Sequence, residues 1–328
     1  MLKNSEDFIS GEKISDEFNM TRAGIWKYIN MLKEDGYNIE SVPRKGYKLI
    51  SSPDILTLEE IEEYLNTDYI GRNIYYYDSI DSTNKKAKEI AIGGNEGTVI
   101  VAEEQLQGKG RMGRAWVSPK GKGIWMSIIL KPKVEPMKVA RITLLGAAAV
   151  HKALENINIK AEIKWPNDIL MQDKKIAGIL TEMSGELNMI NYVIMGIGIN
   201  VNLDKADIPE ELQQKATSIK ISEGKEINRK QLLADILNIF EELYIDFIQN
   251  DNIANAIDIC RKNGELIIGL GDAYVASIII PPAKYELVET DELDDEGNPI
   301  YSVNKIPLDL ESVELVLWQY QKKEEEVV

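Results

Sequence analysis

The chain has 328 residues, a hydrophobic content of 44% and a formal net charge of −16, values that are ordinary for a soluble protein of two or three domains. No run of eighteen apolar residues is present, so no membrane span is expected. With one cysteine, Cys260, no internal disulfide can form, and a cytoplasmic location is expected. The one histidine, His151, excludes a His/Cys metal cluster, makes a Ser-His-Asp triad unpromising, and is expected near the surface of a helix.

The first fifty residues have a charge balance unlike the rest of the chain. Residues 1–50 carry eight Lys/Arg and eight Asp/Glu, whereas the remainder carries 30 and 46. A nucleic-acid partner is therefore expected to meet the N-terminal part.

The N-terminal part, residues 1–52, predicts a winged helix-turn-helix. A short helix over 12–18 precedes a second helix capped by Thr21, in which Ile25, Ile29 and Leu32 share one face. Residues 37–50 then read as strand, turn and strand. A dimerisation or regulatory module is the alternative to DNA binding. The side chains expected to face DNA are Arg22, Lys27, Asn30, Arg44 and Lys45.

The fold class predicted for the whole chain is α+β. Residues 53–263 alternate strand and helix patterns, with a helix at 57–65, buried strands near 97–105 and 123–132, and one strand over 161–171. Residues 264–328 form a third, β-rich and acidic part of unrecognised type.

The stretch QGKGRMGRAW, residues 107–116, holds G-x-G-x-x-G. A dinucleotide-binding fingerprint needs a helix directly after these glycines, but the following residues contain Pro119 and lead into a strand. Cations interleaved with glycines can wrap an anion with both side chains and backbone N–H groups. An ordinary exposed basic loop is the alternative. The interleaved cations are Lys109, Arg111 and Arg114.

Five segments in a fixed order carry a family resemblance. They are DSTN at 81–84, EEQLQGKGRMGRAW at 103–116, KWPND at 164–168, KKIAGIL at 174–180 and GIGINVN at 196–202. Together they resemble the biotin protein ligases, and with the winged helix in front the chain looks like the bifunctional biotin ligase and biotin-operon repressor type. The resemblance covers about residues 5–263 and implies a mixed-sheet catalytic domain of the biotin/lipoate ligase type.

The resemblance implies an ATP-dependent ligase that forms biotinoyl-5′-AMP and transfers biotin to a lysine of a carboxylase carrier domain. Biotin and ATP are the substrates, Mg²⁺ the expected metal, and operator DNA and a second copy of the chain the expected further partners. Competing hypotheses are a ligand-sensing repressor without catalysis and a lipoate ligase-like enzyme. Lys175 together with Arg111 argues for catalysis, since a pure sensor would not need both.

The resemblance also implies site residues. The catalytic residues are Lys175, with Lys174 as an uninvolved neighbour, and Arg111. The biotin-binding residues are Ser82, Thr83, Asn84, Gln105, Gly108, Arg111, Lys175, Gly178, Leu180 and Gly196. The nucleotide-binding residues are Arg111, Arg114, Trp116, Asn167, Asp168 and Asn200, with Asp168 also the candidate Mg²⁺ ligand.

Structural roles remain open for several of these residues. Ser82 and Thr83 also suit a helix cap. Trp116 also suits an apolar core, and Asn167 and Asp168 also suit an Asx turn.

Overall fold

The computed structural model of the chain describes residues 1–165, 167–186 and 189–261, and beyond them the backbone of five strands between 267 and 319. Two apolar cores are built from different stretches of the chain. A small one lies within the first fifty residues, and the main one extends from Leu56 to Cys260.

The N-terminal part is the predicted winged helix-turn-helix. Thr21 begins the second helix, because its Oγ1 accepts a hydrogen bond of 3.1 Å from the Gly24 amide. Ile25 and Ile29 are buried against Ile14 and Ile39, which fixes one helix upon the other and both upon the hairpin. The elements are α1 (Gly11–Phe18), α2 (Arg22–Glu34), β1 (Asn38–Val42) and β2 (Gly46–Ser51).

The tip of the hairpin is a tight turn with an unusual backbone. The Lys45 amide donates to the Val42 carbonyl at 3.1 Å, and Arg44 has a φ of 68°. This left-handed conformation is one that glycine or asparagine adopts readily and arginine does not. Arg44 is therefore held in a strained backbone at the outermost point of the wing.

The central part is a mixed sheet with helices on both faces. Its helices are α3 (Leu58–Ile61), α4 (Thr83–Ala91), α5 (Val139–Asn156), α6 (Ile219–Glu223), α7 (Arg229–Asn250) and α8 (Ala254–Arg261). Its strands are β3 (Ile74–Tyr77), β4 (Val99–Ala102), β5 (Ile124–Leu130), β6 (Glu162–Trp165), β7 (Asp168–Met171), β8 (Lys174–Glu186), β9 (Met189–Ile199) and β10 (Ile267–Ile268).

The strand order is β10-β6-β7-β8-β9-β5-β4-β3. The end pairs β10/β6 and β3/β4 are parallel, and the strands between them pair antiparallel. Beyond this sheet, β11 (Tyr274–Ile279) pairs with β14 (Glu314–Gln319), and β12 (Leu287–Leu293) pairs with β13 (Pro299–Val303). The predicted α+β class with a β-rich end is confirmed, whereas the boundary at 263/264 stays a prediction.

The two faces of the central sheet pack against different elements. On β9, Val193, Met195 and Ile197 point into the main core beneath α5 and α7. A strand sends alternate side chains to opposite faces, so Gly196 and Gly198 lie on the other face, where α4 packs. The second face is consequently lined by small and polar residues rather than by a continuous apolar layer.

Two expectations from the sequence are wrong in detail. The stretch 161–171 forms two strands, β6 and β7, because the chain reverses between 165 and 168 and Glu162 pairs with Leu170. His151 is 3% exposed rather than near the surface, since α5 packs against α7 and α8 as well as the sheet. Its Nε2 lies 3.0 Å from the Ala161 oxygen, and burial lowers its pKa.

Ion pairs connect the start of α7 to the segment from Asp54 to Glu60, which follows the N-terminal part. The Arg229 guanidinium is 2% exposed and pairs with Asp54 at 2.9 Å and with Glu103 at 2.8 Å. Glu60 is fully buried and meets both Lys3 and Lys230. Burial alone would raise the pKa of Glu60, but hydrogen bonds from these two lysines lower it to about 2. Within the described residues, no helix combines the length and apolarity that crossing a membrane requires.

Candidate active site

The candidate site lies on the sheet face opposite α5. The register pairs Gly178 with Gly198 and Leu180 with Gly196, so the site-facing residues of β8 and β9 form one continuous strip. The N-terminus of α4 and the loop over 107–116 border this strip. Most residues predicted for biotin are therefore brought to one surface by three distant parts of the chain.

The glycine-rich loop is a β-hairpin rather than the start of a helix. The Trp116 amide donates to the Gly108 oxygen at 2.8 Å, and the Gly110 amide donates to the Arg114 oxygen at 2.7 Å. Met112 and Gly113 both have positive φ, at 55° and 72°, as a type I′ hairpin turn requires. The next element is β5, as predicted from the sequence.

Gly108 sits at the base of this hairpin and is buried. A Cβ atom there would overlap the Trp116 carbonyl oxygen and lie 3.2 Å from Gln105 Nε2. The hairpin can close against the chain only because residue 108 has no side chain. At the exposed tip are Lys109, Met112, Gly113 and Arg114.

Gln105 connects the hairpin to the start of α4. Its Oε1 accepts from the Thr83 amide at 2.9 Å and from Thr83 Oγ1 at 3.1 Å, and its Nε2 donates to Ser118 Oγ at 2.9 Å. Ser82 is the N-cap residue, but its side chain makes no cap hydrogen bond. The side chain of Gln105 therefore caps α4. The sequence suggested Ser82 or Thr83 for this role.

Asn84 is 6% exposed and lies inside a second polar network. Its Nδ2 donates to Glu182 Oε2 at 2.8 Å, which leaves Oδ1 to accept from Ser127 Oγ at 2.6 Å. Lys88 Nζ completes the network at 2.6 Å from Glu182 Oε1. Burial alone would raise the pKa of Glu182, but hydrogen bonds from Lys88 and Asn84 lower it. The orientation of the Asn84 amide is thus fixed by an acceptor on one side and a donor on the other.

Two glycines make room for protein side chains in this structure. A Cβ atom at Gly196 would overlap Asn84 Oδ1, and one at Gly198 would lie 2.7 Å from Trp116 Nε1. The family resemblance predicts Gly196 as a biotin-binding residue, and this stays a prediction. In this structure the space directly above the two glycines is filled by Asn84 and by the Trp116 ring.

Lys175 and Lys174 point to different surroundings. Lys175 Nζ pairs with Asp168 Oδ1 at 2.6 Å and lies 5.1 Å from the centre of the Trp116 ring. A Cβ at Gly178 would lie 3.1 Å from the same Nζ, so Lys175 lies over the site strip. Lys174 Nζ instead donates to the Gln213 carbonyl at 2.9 Å. Of the two, the structure brings only Lys175 to the other candidate residues.

Arg111 reaches from the hairpin across to the turn after β6. Its Nη1 donates to Asn167 Oδ1 at 2.7 Å, while Asn167 Nδ2 donates to the Ile179 oxygen at 3.1 Å. Asn167 and Asp168 are consecutive, so the cations of Arg111 and Lys175 converge on one short turn. Asn200 is buried and its Nδ2 donates to the Thr217 carbonyl at 3.0 Å, a contact that holds a neighbouring loop. Arg114 is exposed at the hairpin tip.

Four residues of the polar networks are not among those predicted from the sequence: Ser127, Ser118, Lys88 and Glu182. Ser127 is the one polar residue in the otherwise apolar, fully buried strand β5, and a hydroxyl in such a strand is a signal that can be found. Glu182 follows Leu180 by two residues and so shares its face of β8. Nothing in the local sequence links it to Asn84, which is 98 residues away.

The comparisons with known proteins agree with this geometry. The model of the biotin/lipoate A/B protein ligase family matches residues 76–200, and a helix-turn-helix domain model matches residues 1–48. The bifunctional ligase/repressor BirA of Bacillus subtilis is 45% identical over 244 residues, which are 74% of this chain and 75% of that protein. This chain belongs to the biotin protein ligase family.

Other members of the biotin protein ligase family match over shorter stretches or in structure. The bifunctional ligase/repressor BirA of Escherichia coli is 32% identical over 208 residues, 63% of each chain. A biotin protein ligase of Aquifex aeolicus, solved in complex with biotin and ATP, is 30% identical with a TM-score of 0.53 and covers 76% of this chain and 100% of that one. The family resemblance drawn from the five sequence segments is thereby confirmed.

Proposed function

We propose that this chain joins biotin to ATP, forming biotinoyl-5′-AMP and pyrophosphate, and then transfers biotin to a lysine of a carrier domain. The observation that carries the proposal is the convergence of Arg111 and Lys175 on the adjacent residues Asn167 and Asp168. The biotin carboxylate and the ATP phosphates are both anions, so bringing them together requires fixed positive charge at one place. Two cations held by a hairpin and a strand supply it.

In the first step, a carboxylate oxygen of biotin bonds to the α-phosphorus of ATP. The bond from that phosphorus to its bridging oxygen breaks, and pyrophosphate leaves with the electron pair. Lys175 and Arg111 would exchange Asp168 and Asn167 for the reacting oxygens and stabilise the charge that develops on them. In the second step, the carrier lysine amine attacks the biotinyl carbonyl carbon and forms the amide bond, the bond from that carbon to the phosphate oxygen breaks, AMP leaves with the electron pair, and the amine nitrogen gives up a proton to water.

Trp116 offers a further sign of a ligand. Its Nε1 is a buried donor without a hydrogen-bond partner among the residues that the structure describes. Unsatisfied buried donors are rare and costly in proteins, so a bound acceptor is the simplest way to satisfy this one. We assign that acceptor to the adenylate or to biotin, which fits the place of Trp116 beside Lys175.

Mg²⁺ would enter this site with the nucleotide. Over the ranges the structure describes, no group of three or more His, Cys, Asp or Glu side chains is placed to hold a metal ion. Mg²⁺ commonly takes one or two carboxylates and shares the phosphates of its substrate, and Asp168 can provide one such carboxylate. When bound, the ion would neutralise phosphate charge, and Asp168 would then give up its pairing with Lys175.

The deciding experiment measures two products. Pyrophosphate release on adding biotin and ATP reports the first step, and a streptavidin blot of an added carrier domain reports the second. A ligand-sensing repressor without catalysis would release no pyrophosphate. A lipoate ligase-like enzyme would modify its carrier with lipoate and leave biotin unused.

We further propose that the winged helix binds operator DNA as part of a homodimer and that the chain acts as a biotin-responsive repressor in the cytoplasm. Arg22 and Lys27 are exposed on α2, and Arg44 and Lys45 are exposed at the wing tip. Asn30 is half-buried on the same helix. Between residues 22 and 48 there are six Lys/Arg and three Asp/Glu, so positive charge is concentrated on the part expected to face DNA.

DNA binding should depend on the reaction intermediate. In an electrophoretic shift assay with DNA from upstream of biotin-synthesis genes, biotin plus ATP should tighten binding, because the family resemblance implies the adenylate as corepressor. Biotin alone and ATP alone are the matched controls. Equal binding under all conditions would refute the coupling between the two activities.

Arg44→Gly should make the protein more stable and a weaker DNA binder. Glycine relieves the left-handed backbone, which costs a non-glycine residue roughly 1–2 kcal/mol. Loss of one phosphate contact should lower DNA affinity and reduce the slope of log K against log salt by about 1. Thermal unfolding and a salt titration of binding measure the two effects.

Lys45→Ala is the control for Arg44→Gly, since it removes a neighbouring cation without relieving backbone strain. A rise in melting temperature with unchanged DNA affinity in Arg44→Gly would show that the wing tip does not contact DNA.

A further inference from the structure

An exposed tryptophan on α2 lies outside the small apolar core of the N-terminal part. Trp26 is 62% exposed, whereas Ile25 and Ile29 bury the side of the helix that faces α1 and the hairpin. An isolated exposed apolar residue is ordinary, but a ring of this size has a large area to desolvate. Its neighbours on the helix decide what could cover it.

Those neighbours are polar and positively charged. Arg22, Trp26 and Asn30 follow one another at four-residue intervals, so they lie one turn apart on the same side of the helix. Lys27 is adjacent and exposed. Trp26 is thus an apolar ring at the centre of a face whose other long side chains carry a guanidinium, an amide and an ammonium group.

Charge distinguishes the partners that this face could meet. A second copy of the chain using the same patch would bring Arg22 and Lys27 against their own equivalents, because a twofold contact pairs a surface with itself. An anionic partner meets no such repulsion. Arg22 Nη2 pairs with Glu12 Oε2 of α1 at 3.1 Å, and both side chains are exposed. An exposed ion pair of this kind contributes little stability, so a phosphate can take the place of Glu12, and Lys27 adds a second cation to the face.

We infer that Trp26 contacts thymine methyl groups in the major groove and so contributes base specificity to the proposed DNA binding, on which this inference rests. The first turns of a recognition helix are the part that reaches base edges, and Trp26 is the fifth residue of α2. The thymine 5-methyl is the apolar mark of an A·T pair in that groove. Arg22 and Lys27 would meet phosphates on either side, and Asn30 can pair with an adenine edge.

The test removes the two contacting groups, the thymine methyl and the Trp26 ring, one at a time. The probe is a duplex selected from random-sequence DNA by the wild-type protein with biotin and ATP, and copies of it carry uracil in place of each thymine in turn. For the wild type, uracil at a contacted position should weaken binding about fourfold, because the protein no longer buries the methyl group there and each buried CH₂-sized group contributes about that factor. Trp26→Ala should bind the parent duplex roughly 10- to 100-fold more weakly, the effect of losing a specific base contact.

The decisive result is the affinity of Trp26→Ala for the uracil-containing duplexes. Trp26→Ala should give the same affinity for thymine and uracil at the positions where the wild type discriminates, and Trp26→Phe should regain part of the discrimination. Met31→Ala is the matched control, because Met31 is 46% exposed and lies about 140° around the same helix. It should keep both the affinity and the discrimination of the wild type.

Two outcomes would overturn the inference. One is a Trp26→Ala protein that still discriminates thymine from uracil at every position as the wild type does. The other is unchanged DNA binding with a loss of dimer in sedimentation, which would assign Trp26 to a protein interface. Failure of the wild type itself to select any duplex would instead overturn the DNA-binding function together with this role of Trp26.

Discussion

Lys175→Ala should lower the rate of biotin- and ATP-dependent pyrophosphate release by roughly 10²–10³, the usual effect of removing one preorganised donor to developing charge. The structure gives the reason. Lys175 Nζ is held between Asp168 and the Trp116 ring, and is 30% exposed at the side chain. A cation fixed in advance loses little free energy to reorganisation when the reacting anions arrive.

Lys174→Ala is the matched control for this prediction. It removes the same charge one residue away, but Lys174 Nζ contacts the Gln213 carbonyl rather than the site. Its pyrophosphate release should stay close to that of the wild type. Equal rates for the two variants would show that Lys175 is not the catalytic lysine.

A second control separates catalysis from folding. Lys175→Ala leaves the Asp168 carboxylate without its ion-pair partner, which can destabilise the turn. The double variant Lys175→Ala with Asp168→Asn removes that unpaired charge. It should recover any thermal stability that Lys175→Ala loses. A Lys175→Ala protein with the melting temperature of the wild type would show that its low activity does not come from unfolding.

The elements with local signals are the ones that the sequence predicts well. Thr21 begins α2 through its own hydroxyl, and the apolar spacing of Ile25 and Ile29 sets the buried face. The glycine-rich stretch was correctly separated from a dinucleotide fingerprint, because the residues after it favour a strand. Each of these conclusions depends on residues close together in the chain.

The polar networks of the candidate site could not be predicted in the same way. The resemblance implies that Asn84 binds biotin, which stays a prediction, and in the structure its donor and acceptor contact Glu182 and Ser127, residues 98 and 43 positions away. Gln105, rather than Ser82, caps α4. Which partner satisfies a buried amide depends on how distant strands are brought together, and one sequence holds no direct record of that.

Burial of His151 shows the same limit in the core. Most of the residues around His151 in the sequence are apolar. This pattern fits a helix with His151 on its exposed face, and it also fits a helix that other elements enclose on all sides. Only the packing of α5 against α7, α8 and the sheet decides between them. The family resemblance fixed the domain type, but it carried no information on which polar side chains would be used internally.

Arg111→Gly should release the reaction intermediate while still consuming ATP. Arg111 reaches from the hairpin to Asn167 at 2.7 Å, so it links the hairpin to the turn that also holds Asp168. Once the adenylate forms, a charge-assisted contact to it is expected to replace the Asn167 contact. Losing such a contact costs about 1.5–3 kcal/mol. That corresponds to a roughly 10- to 150-fold faster escape if the loss falls on dissociation.

Escape of the intermediate has a chemical consequence that can be measured. Biotinoyl-5′-AMP is a mixed anhydride, and it acylates exposed lysine amines while AMP leaves. Albumin mixed with Arg111→Gly, biotin and ATP should therefore be labelled on a streptavidin blot, whereas wild-type protein should leave it unlabelled. The carrier domain should still be modified, but more slowly, because the first step keeps Lys175 and loses the second of its two cations.

Arg114→Gly is the control on the same hairpin. Arg114 is exposed at the tip, and its backbone carbonyl accepts the Gly110 amide whichever side chain is present. It should label albumin far less than Arg111→Gly does, since its guanidinium does not reach across to the turn at Asn167. An Arg111→Gly protein that releases pyrophosphate but labels albumin no more than the wild type would refute the role of the hairpin as a lid. Equal labelling by both variants would mean that general loosening of the hairpin, rather than the contact made by Arg111, lets the intermediate escape.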